Sequence, residues 1–324
     1  MIKKRKLKKS VKFVIGVTVL IVVGIGSYFI YEGMKPQQIK YGSIDYKEKS
    51  QLGKIREETL RLSEKPGAEM TYTIYDVGEG QSILIDYGEM EVLIDGGPKS
   101  KGKYVSKKIR NKIDGELDYV IATHHDPNNI GGLIQIYKDY KVGKTIYGNR
   151  GESDVFKSFE QIAKASGQYE KKKDSTIELG DRAAITIFDV EEDRENSNNN
   201  SVITLVNYNQ VSFFCSGDAQ EGEEVKLKNR IEPVDVVIAG FKGDNSANKL
   251  LPALSPKYFI ISAGRNNPDG HPHSQTLKAA ENEGAAVYGT FKSGDIRFST
   301  DGIDLSCNVK EEQELTPADA GAKK

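Results

Sequence analysis

The stretch Thr123-His124-His125-Asp126-Pro127-Asn128-Asn129-Ile130-Gly131-Gly132 directly follows the apolar run Leu117-Asp118-Tyr119-Val120-Ile121-Ala122. A short run of that character reads as a strand. A cluster of imidazole, carboxylate and amide side chains at its end, with Ile-Gly-Gly opening a helix, puts polar groups at the lip of a sheet. That is where metal and substrate sites sit in folds of this kind. Two of the chain's four histidines stand side by side here.

On either side of this stretch, strand and helix patterns alternate. Before it, residues 70–75, 82–87 and 90–94 are short β-type runs separated by Gly78, Gly80 and Gly88. They make an antiparallel meander that ends in Asp95-Gly96-Gly97, and residues 104–113 then carry a helical period. After it come a helix over 130–140, a strand over 145–147 and a helix over 154–165. Residues 167–182 form a charged excursion with one strand, and residues 183–190 resume the β pattern. A polar loop over 191–200 leads to the strands 202–208 and 211–215, a second meander closed by Ser216-Gly217-Asp218. Residues 221–229 are helical, strands follow at 234–239, 258–262 and 286–288 with helices between them, and 296–299 and 303–309 finish the pattern.

Two halves that each begin with antiparallel strands and continue with alternating strand and helix predict an α/β fold. Its layers are two sheets packed face to face with helices outside, an αββα sandwich with the site at one end of the sheets. A single doubly wound parallel sheet is the alternative, and the two tight meanders count against it.

The 324 residues are enough for one large domain with room for an anchor and a tail. Overall 46 basic residues nearly balance 47 acidic ones, but Lys3, Lys4, Arg5, Lys6, Lys8, Lys9 and Lys12 precede any acid. Without those seven, 39 basic residues face 47 acidic ones, a net charge of −8. An acidic main part argues against tight, sequence-independent nucleic-acid binding by the whole surface. Lys99, Lys101, Lys103, Lys107, Lys108, Arg110 and Lys112 form a local basic segment that reads either as a solvated helix face or as a local binding patch.

Residues 13–31 are uncharged and almost wholly apolar, and as a helix they would span roughly 28 Å, close to the hydrocarbon thickness of a bilayer. They predict one N-terminal transmembrane helix. By the positive-inside rule, residues 1–12 are its basic cytoplasmic flank and everything after it lies outside, at the cell membrane. Residues 32–69, with Pro36 and Pro66 around a charge-mixed stretch, read as a stalk, residues 70–310 as the folded domain and residues 311–324 as a disordered tail. Cys215 and Cys307 are too few for a disulfide framework; they either pair or remain buried thiols.

Several separated motifs fall in one order and resemble the metallo-β-lactamase-fold domain of ComEC-type DNA-uptake proteins. Tyr75-Asp76-Val77-Gly78-Glu79-Gly80-Gln81-Ser82 is similar to that family's DVGQGDS, and Leu93-Ile94-Asp95-Gly96-Gly97 to its LIDGG. The stretch from Thr123 to Gly132 is similar to THxDxDHIGG. Residues 198–202 resemble NxNSLV, residues 216–219 the GDA motif, and residues 262–273, which read SAGRNNPDGHPH, resemble SxGxxNxyGHP. The resemblance implies a dinuclear hydrolase whose two metals lower the pKa of a bound water and clamp a phosphoryl or acyl oxygen.

Carried over residue by residue, His124 and Asp126 take the place of first-metal ligands, Asp218 of the bridging carboxylate and His271 of a late site histidine. The other half departs from the pattern. Asn128 and Asn129 stand where the family has a carboxylate and an imidazole, and Phe241 and Lys242 stand where it has histidine. A neutral amide oxygen is a poor zinc ligand, so the second metal position is eroded. The resemblance therefore implies at most a weak, mononuclear phosphodiesterase with His124, Asp126, Asp218 and His271 as its working residues. One zinc or manganese ion, or none, would be bound. A non-catalytic surface binding module, or a structural partner of an envelope complex, is the alternative. Phosphodiesters or nucleic acid are the implied substrates, and the membrane is the partner of residues 13–31.

Other readings stand beside these. His124 and Asp126 also read as a hydrogen-bonded loop pair, His125 as a bystander, and His271 with His273 as a cap and turn before a helix. Gly78, Gly80, Gly96 and Gly97 serve the backbone, and Asp76 and Asp95 tie turns. Lys242 reads either as an exposed loop residue beside Asp244 or as an ammonium set between Asp126 and Asp218 in place of the missing metal.

Overall fold

The computed structural model describes residues 67–180, 182–188, 196–220, 226–244, 249–265, 267, 269–310, 315–316 and 319. The expected basic flank, transmembrane helix, nearly all of the stalk, and most of the helix over 221–229 lie outside the described residues. Among the described residues no helix is long and apolar enough to cross a membrane.

The first meander is β1 (Met70–Ile74), β2 (Ile83–Tyr87) and β3 (Met90–Ile94), each antiparallel to the next. Helix α1 (Gly102–Ile109) crosses to β4 (Glu116–Ala122), which lies parallel to β3. The helix expected over 130–140 is two pieces, a single turn α2 (Pro127–Ile130) and α3 (Leu133–Asp139). At the junction Gly132 N donates to Gly97 O at 2.8 Å and so leaves the helix's own ladder of bonds. A Cβ on Gly132 would run into the carbonyl oxygen of Gly96, so the two glycine-bearing loops can touch only because neither residue has a side chain. β5 (Lys141–Tyr147), α4 (Asp154–Ser166) and β6 (Gln168–Lys171) continue the parallel run.

The charged excursion holds two strands rather than one. β7 (Ser175–Gly180) follows β6 and opens a second sheet, because Ile177 and Leu179 alternate with polar residues and bury inward. β8 (Ala183–Phe188), β9 (Ile203–Tyr208) and β10 (Val211–Cys215) are antiparallel neighbours. β11 (Val236–Ile238), β12 (Tyr258–Ile261) and β13 (Ala286–Gly289) add in parallel, with α5 (Ser274–Asn282) before β13. β14 (Ile296–Thr300) and β15 (Leu305–Cys307) return to the first sheet beside β1.

The result is two mixed sheets, ordered β15-β14-β1-β2-β3-β4-β5-β6 and β13-β12-β11-β10-β9-β8-β7. The single parallel sheet is thereby excluded. One core lies between the sheets, where Tyr72 of the first stacks on Phe213 of the second with ring centroids 4.5 Å apart. Two outer cores back the sheets. Leu84, Leu93 and Val120 pack with Val105 of α1 and Leu133 of α3; Phe214, Val237 and Phe259 pack with Leu277 and Ala280 of α5. Leu315, within the segment read as a disordered tail, is buried in the second of these. Cys215 is a buried free thiol, and Cys307 is free and half-buried.

Candidate functional site

The mutually parallel strands β3 and β4 of the first sheet and β10, β11 and β12 of the second release their chains toward loops that are tied together at one end of the sandwich, the position where α/β sheets expose ligand sites. The ties are direct. Gly96 N donates to Asn129 O at 2.8 Å, Val202 N to Thr123 O at 2.8 Å, Phe241 N to Gly217 O at 3.0 Å and Ser262 Oγ to Gly80 O at 2.9 Å.

His124 and Asp218 meet at the centre of this end. His124 Nδ1 lies 3.4 Å from Asp218 Oδ2, and the two side chains are almost fully buried. The contact is electrostatic rather than a hydrogen bond, since neither ring nitrogen of His124 has a well-directed partner. Asn129, at a position where the family pattern has a metal donor, turns its amide nitrogen inward. Nδ2 donates to Asp218 Oδ1 at 3.0 Å, to Asp95 Oδ2 at 3.3 Å and to Thr123 Oγ1 at 3.3 Å. The Asp218 carboxylate accepts here, so the donor end of the amide faces it. Burial pushes the Asp218 carboxyl up, but the His124 ring, the Asn129 amide and the charge of Lys242 together hold it below its ordinary value.

Beneath Asp218, Asp95 is fully buried at φ 57 and accepts from Thr123 N at 2.8 Å, Thr123 Oγ1 at 2.5 Å and Gln81 Nε2 at 3.3 Å. Burial outweighs these donors, and with Asp218 nearby the carboxyl is pushed up to about 8. Asp95 thus ties its turn to the loops of Gln81, Thr123 and Asn129. Asp76 ties its own turn, accepting from Gly78 N at 3.2 Å.

Asp126 stands apart from this pair. It is the N-cap of α2, accepting from Asn128 N at 2.7 Å, the geometry that relieves an unpaired helix-terminal amide. Asn128 contributes backbone: a Cβ on Gly80 would strike its carbonyl oxygen. His125 donates from Nδ1 to Asn149 Oδ1 at 3.1 Å and packs edge-on against the His124 ring.

The loop after β11 carries Phe241 and Lys242, both in the left-handed region. Lys242 is not exposed: its side chain is 9% accessible and its ammonium sits 3.5 Å from Glu79 Oε2, rather than between Asp126 and Asp218 as one reading expected, although its charge still acts on Asp218. Glu79 Oε1 accepts from Gly264 N at 3.0 Å, so this carboxylate is itself anchored. Phe241 packs edge-on against His271, with ring centroids 5.3 Å apart. Burial, the neighbouring His273 and the Lys242 charge all hold the His271 imidazole below its ordinary value.

The arrangement does not fit a dinuclear centre. Around Asp218, an amide N–H and a nearby ammonium supply the positive character that two metals would otherwise bring, and an amide nitrogen cannot ligate. Among the described residues, the group that brings three ligand atoms within 4.8 Å of one another is Asp244, His271 and His273, and it could hold a metal. His124, Asp126 and Asp218 do not converge in that way. Glu79, Asp244 and His273 were missed as site residues. For His273 the signal was its spacing from His271, two residues apart in Gly-His-Pro-His; for Glu79 and Asp244 no local signal exists, because their partners lie on other loops.

No family model matches the chain. Among curated proteins it is similar to ComE operon protein 3 of Bacillus subtilis (strain 168), 24% identical over 257 residues, which covers 68% of this chain and 33% of that protein. It is also similar to Recombination protein 2 of Haemophilus influenzae, 25% identical over 230 residues (69% and 28%), and to Competence protein ComA of Neisseria gonorrhoeae, 22% identical over 239 residues (72% and 33%). The chain spans about a third of the length of these relatives. Of solved structures, the metallo-β-lactamase-fold protein YhfI from Bacillus subtilis aligns with a TM-score of 0.46 at 13% identity, over 71% of this chain and 99% of YhfI.

Proposed function

From a chain that is a metallo-β-lactamase fold related to competence proteins, we propose a membrane-anchored, extracytoplasmic module that binds phosphodiester groups at its cleft and has given up dinuclear hydrolysis. The observation that carries this is the turning of Asn129 toward Asp218, with Lys242 held nearby: the charge of the central carboxylate is balanced by the protein's own groups. A fixed ammonium balances charge but cannot lower the pKa of a water as a metal does. The remaining donors suffice for a single zinc or manganese ion and not for a pair. Affinity for phosphodiesters would come from the rim, where exposed Lys99 and Lys103 follow directly on the Asp95-Gly96-Gly97 turn. The anchor is residues 13–31, whose basic flank favours a cytoplasmic N-terminus.

The full chain in detergent, supplied with zinc or manganese, should retain a fluorescent single-stranded oligonucleotide in an anisotropy titration and leave it intact. It should likewise leave bis(p-nitrophenyl) phosphate uncleaved. Turnover that is lost in His124→Ala would instead establish the mononuclear phosphodiesterase, and absence of both binding and turnover would leave the structural-partner role.

A further inference from the structure

The geometry points to a mononuclear site for a first-row divalent transition metal at Asp244, His271 and His273, a set that shares no member with His124 and Asp218. It rests on the single-ion part of the function proposed above and assigns where that ion is held. Three observations carry it.

The three side chains come from two different loops, yet their ligand atoms all lie within 4.8 Å of one another, and among the described residues no other His, Cys, Asp or Glu group does so. Second, His271 is 3% exposed and its Nδ1 is buried with no hydrogen-bond partner. A buried polar atom left unmade is costly, and coordination is one way a buried imidazole nitrogen is satisfied. Third, the surroundings hold the ligands in place. Asn267, itself buried, clamps the backbone of His271 from both sides, accepting from His271 N at 2.8 Å and donating to His271 O at 2.6 Å. His273 N donates to Gly243 O at 3.0 Å, which joins the two loops. Gln220 Nε2 donates to Asp244 Oδ2 at 2.9 Å, while Asp244 Oδ1 faces His273 Nδ1 at 3.0 Å. Outer hydrogen bonds of this kind orient metal ligands, and losing one typically costs about 10- to 100-fold in affinity.

Two imidazoles and one carboxylate suit zinc, manganese, cobalt or ferrous iron and leave positions for water or an anionic ligand. Lys242, a cation nearby, is paired with Glu79, so its charge does not stand unopposed beside the site. The Phe241 ring against His271 shields one side from water.

The test uses the full-length chain in detergent, stripped with chelator and titrated with cobalt(II) while the visible d–d spectrum and calorimetric stoichiometry are followed. One cobalt per chain should bind and be displaced by zinc. His273→Ala and Asp244→Asn should each weaken binding by about tenfold or more while each unloaded variant still unfolds in one cooperative melt, whereas His124→Ala should bind as the parent does. Two results overturn the assignment: loss of cobalt in His124→Ala with retention in the other two, or no cobalt binding at all. A chain that binds no cobalt but still retains the oligonucleotide loses the metal site alone, and the phosphodiester-binding role stands.

Discussion

Lys242 carries its charge into a nearly closed space, 9% exposed, where it faces Glu79 at 3.5 Å and lowers the carboxyl of Asp218. Because the folded value of Asp218 lies below its unfolded one, the stabilisation linked to its charge is present at neutral pH and is lost as pH falls through that lowered value. Lys242→Ala should therefore cost about 2 kcal/mol at pH 7, less than the roughly 3–5 kcal/mol for a fully buried pair because Glu79 is partly exposed, and less in acid once the Asp218 carboxyl has taken up its proton. Urea denaturation at neutral and at acid pH checks this; an equal cost at both would mean that Lys242 acts by packing and not by charge. Asp95 has the opposite sign. Its folded value is raised to about 8, so its contribution is fully present below the unfolded carboxylate range and disappears as pH rises through about 8. The slope of stability against pH between about 4 and 8 should flatten in Asp95→Asn, relative to the parent chain.

At the scale of the element, the loop after β11 stores strain to make these contacts. Phe241, Lys242 and Gly243 are consecutive at φ 40, 60 and 87, and a left-handed conformation costs a non-glycine residue about 1–2 kcal/mol. The strain turns Lys242 toward Glu79 and presents Asp244 to His273. Lys242→Gly removes the same charge as Lys242→Ala but also relieves the backbone, so it should be more stable than Lys242→Ala by about 1 kcal/mol. Chemical denaturation of the two variants side by side measures the difference, and a glycine variant less stable than the alanine variant would rule out a strained loop.

Among the described residues, the two sheets cohere through the core between them, and Phe213 bridges them, stacked on Tyr72 and edge-on to Phe298 of the first sheet. Phe213→Ala should cost about 3–5 kcal/mol and shorten the thermal plateau of both sheets together. A melt in which near-ultraviolet signal from one sheet outlives the other would show that the sheets do not unfold as one. The proposed topology makes a separate prediction: protease added to intact cells should cut within residues 32–69 and release the folded part, whereas protection until lysis would reverse the orientation.

Patterns whose cause is local were legible in the sequence. The alternation of β1–β3 and of β9–β10 marked two meanders and hence two sheets, because inward and outward faces repeat every second residue. The glycines after Asp95 and Ile130 marked turns, and Asn128, Asn129, Phe241 and Lys242, set against the family pattern that the chain resembles, implied an altered metal position. Only the tertiary structure decided which of these side chains meet. Asn129 reaches Asp218 across 89 residues of chain and across the gap between the two sheets, Lys242 pairs with Glu79 and not Asp126, and Asp126 serves as a helix cap. Asp244 and His273 face one another because adjacent parallel strands, β11 and β12, release their loops at the same end. A contact between loops depends on how sheets stack and where each strand stops, quantities set by the packing of the shared core, and no spacing along the chain encodes them.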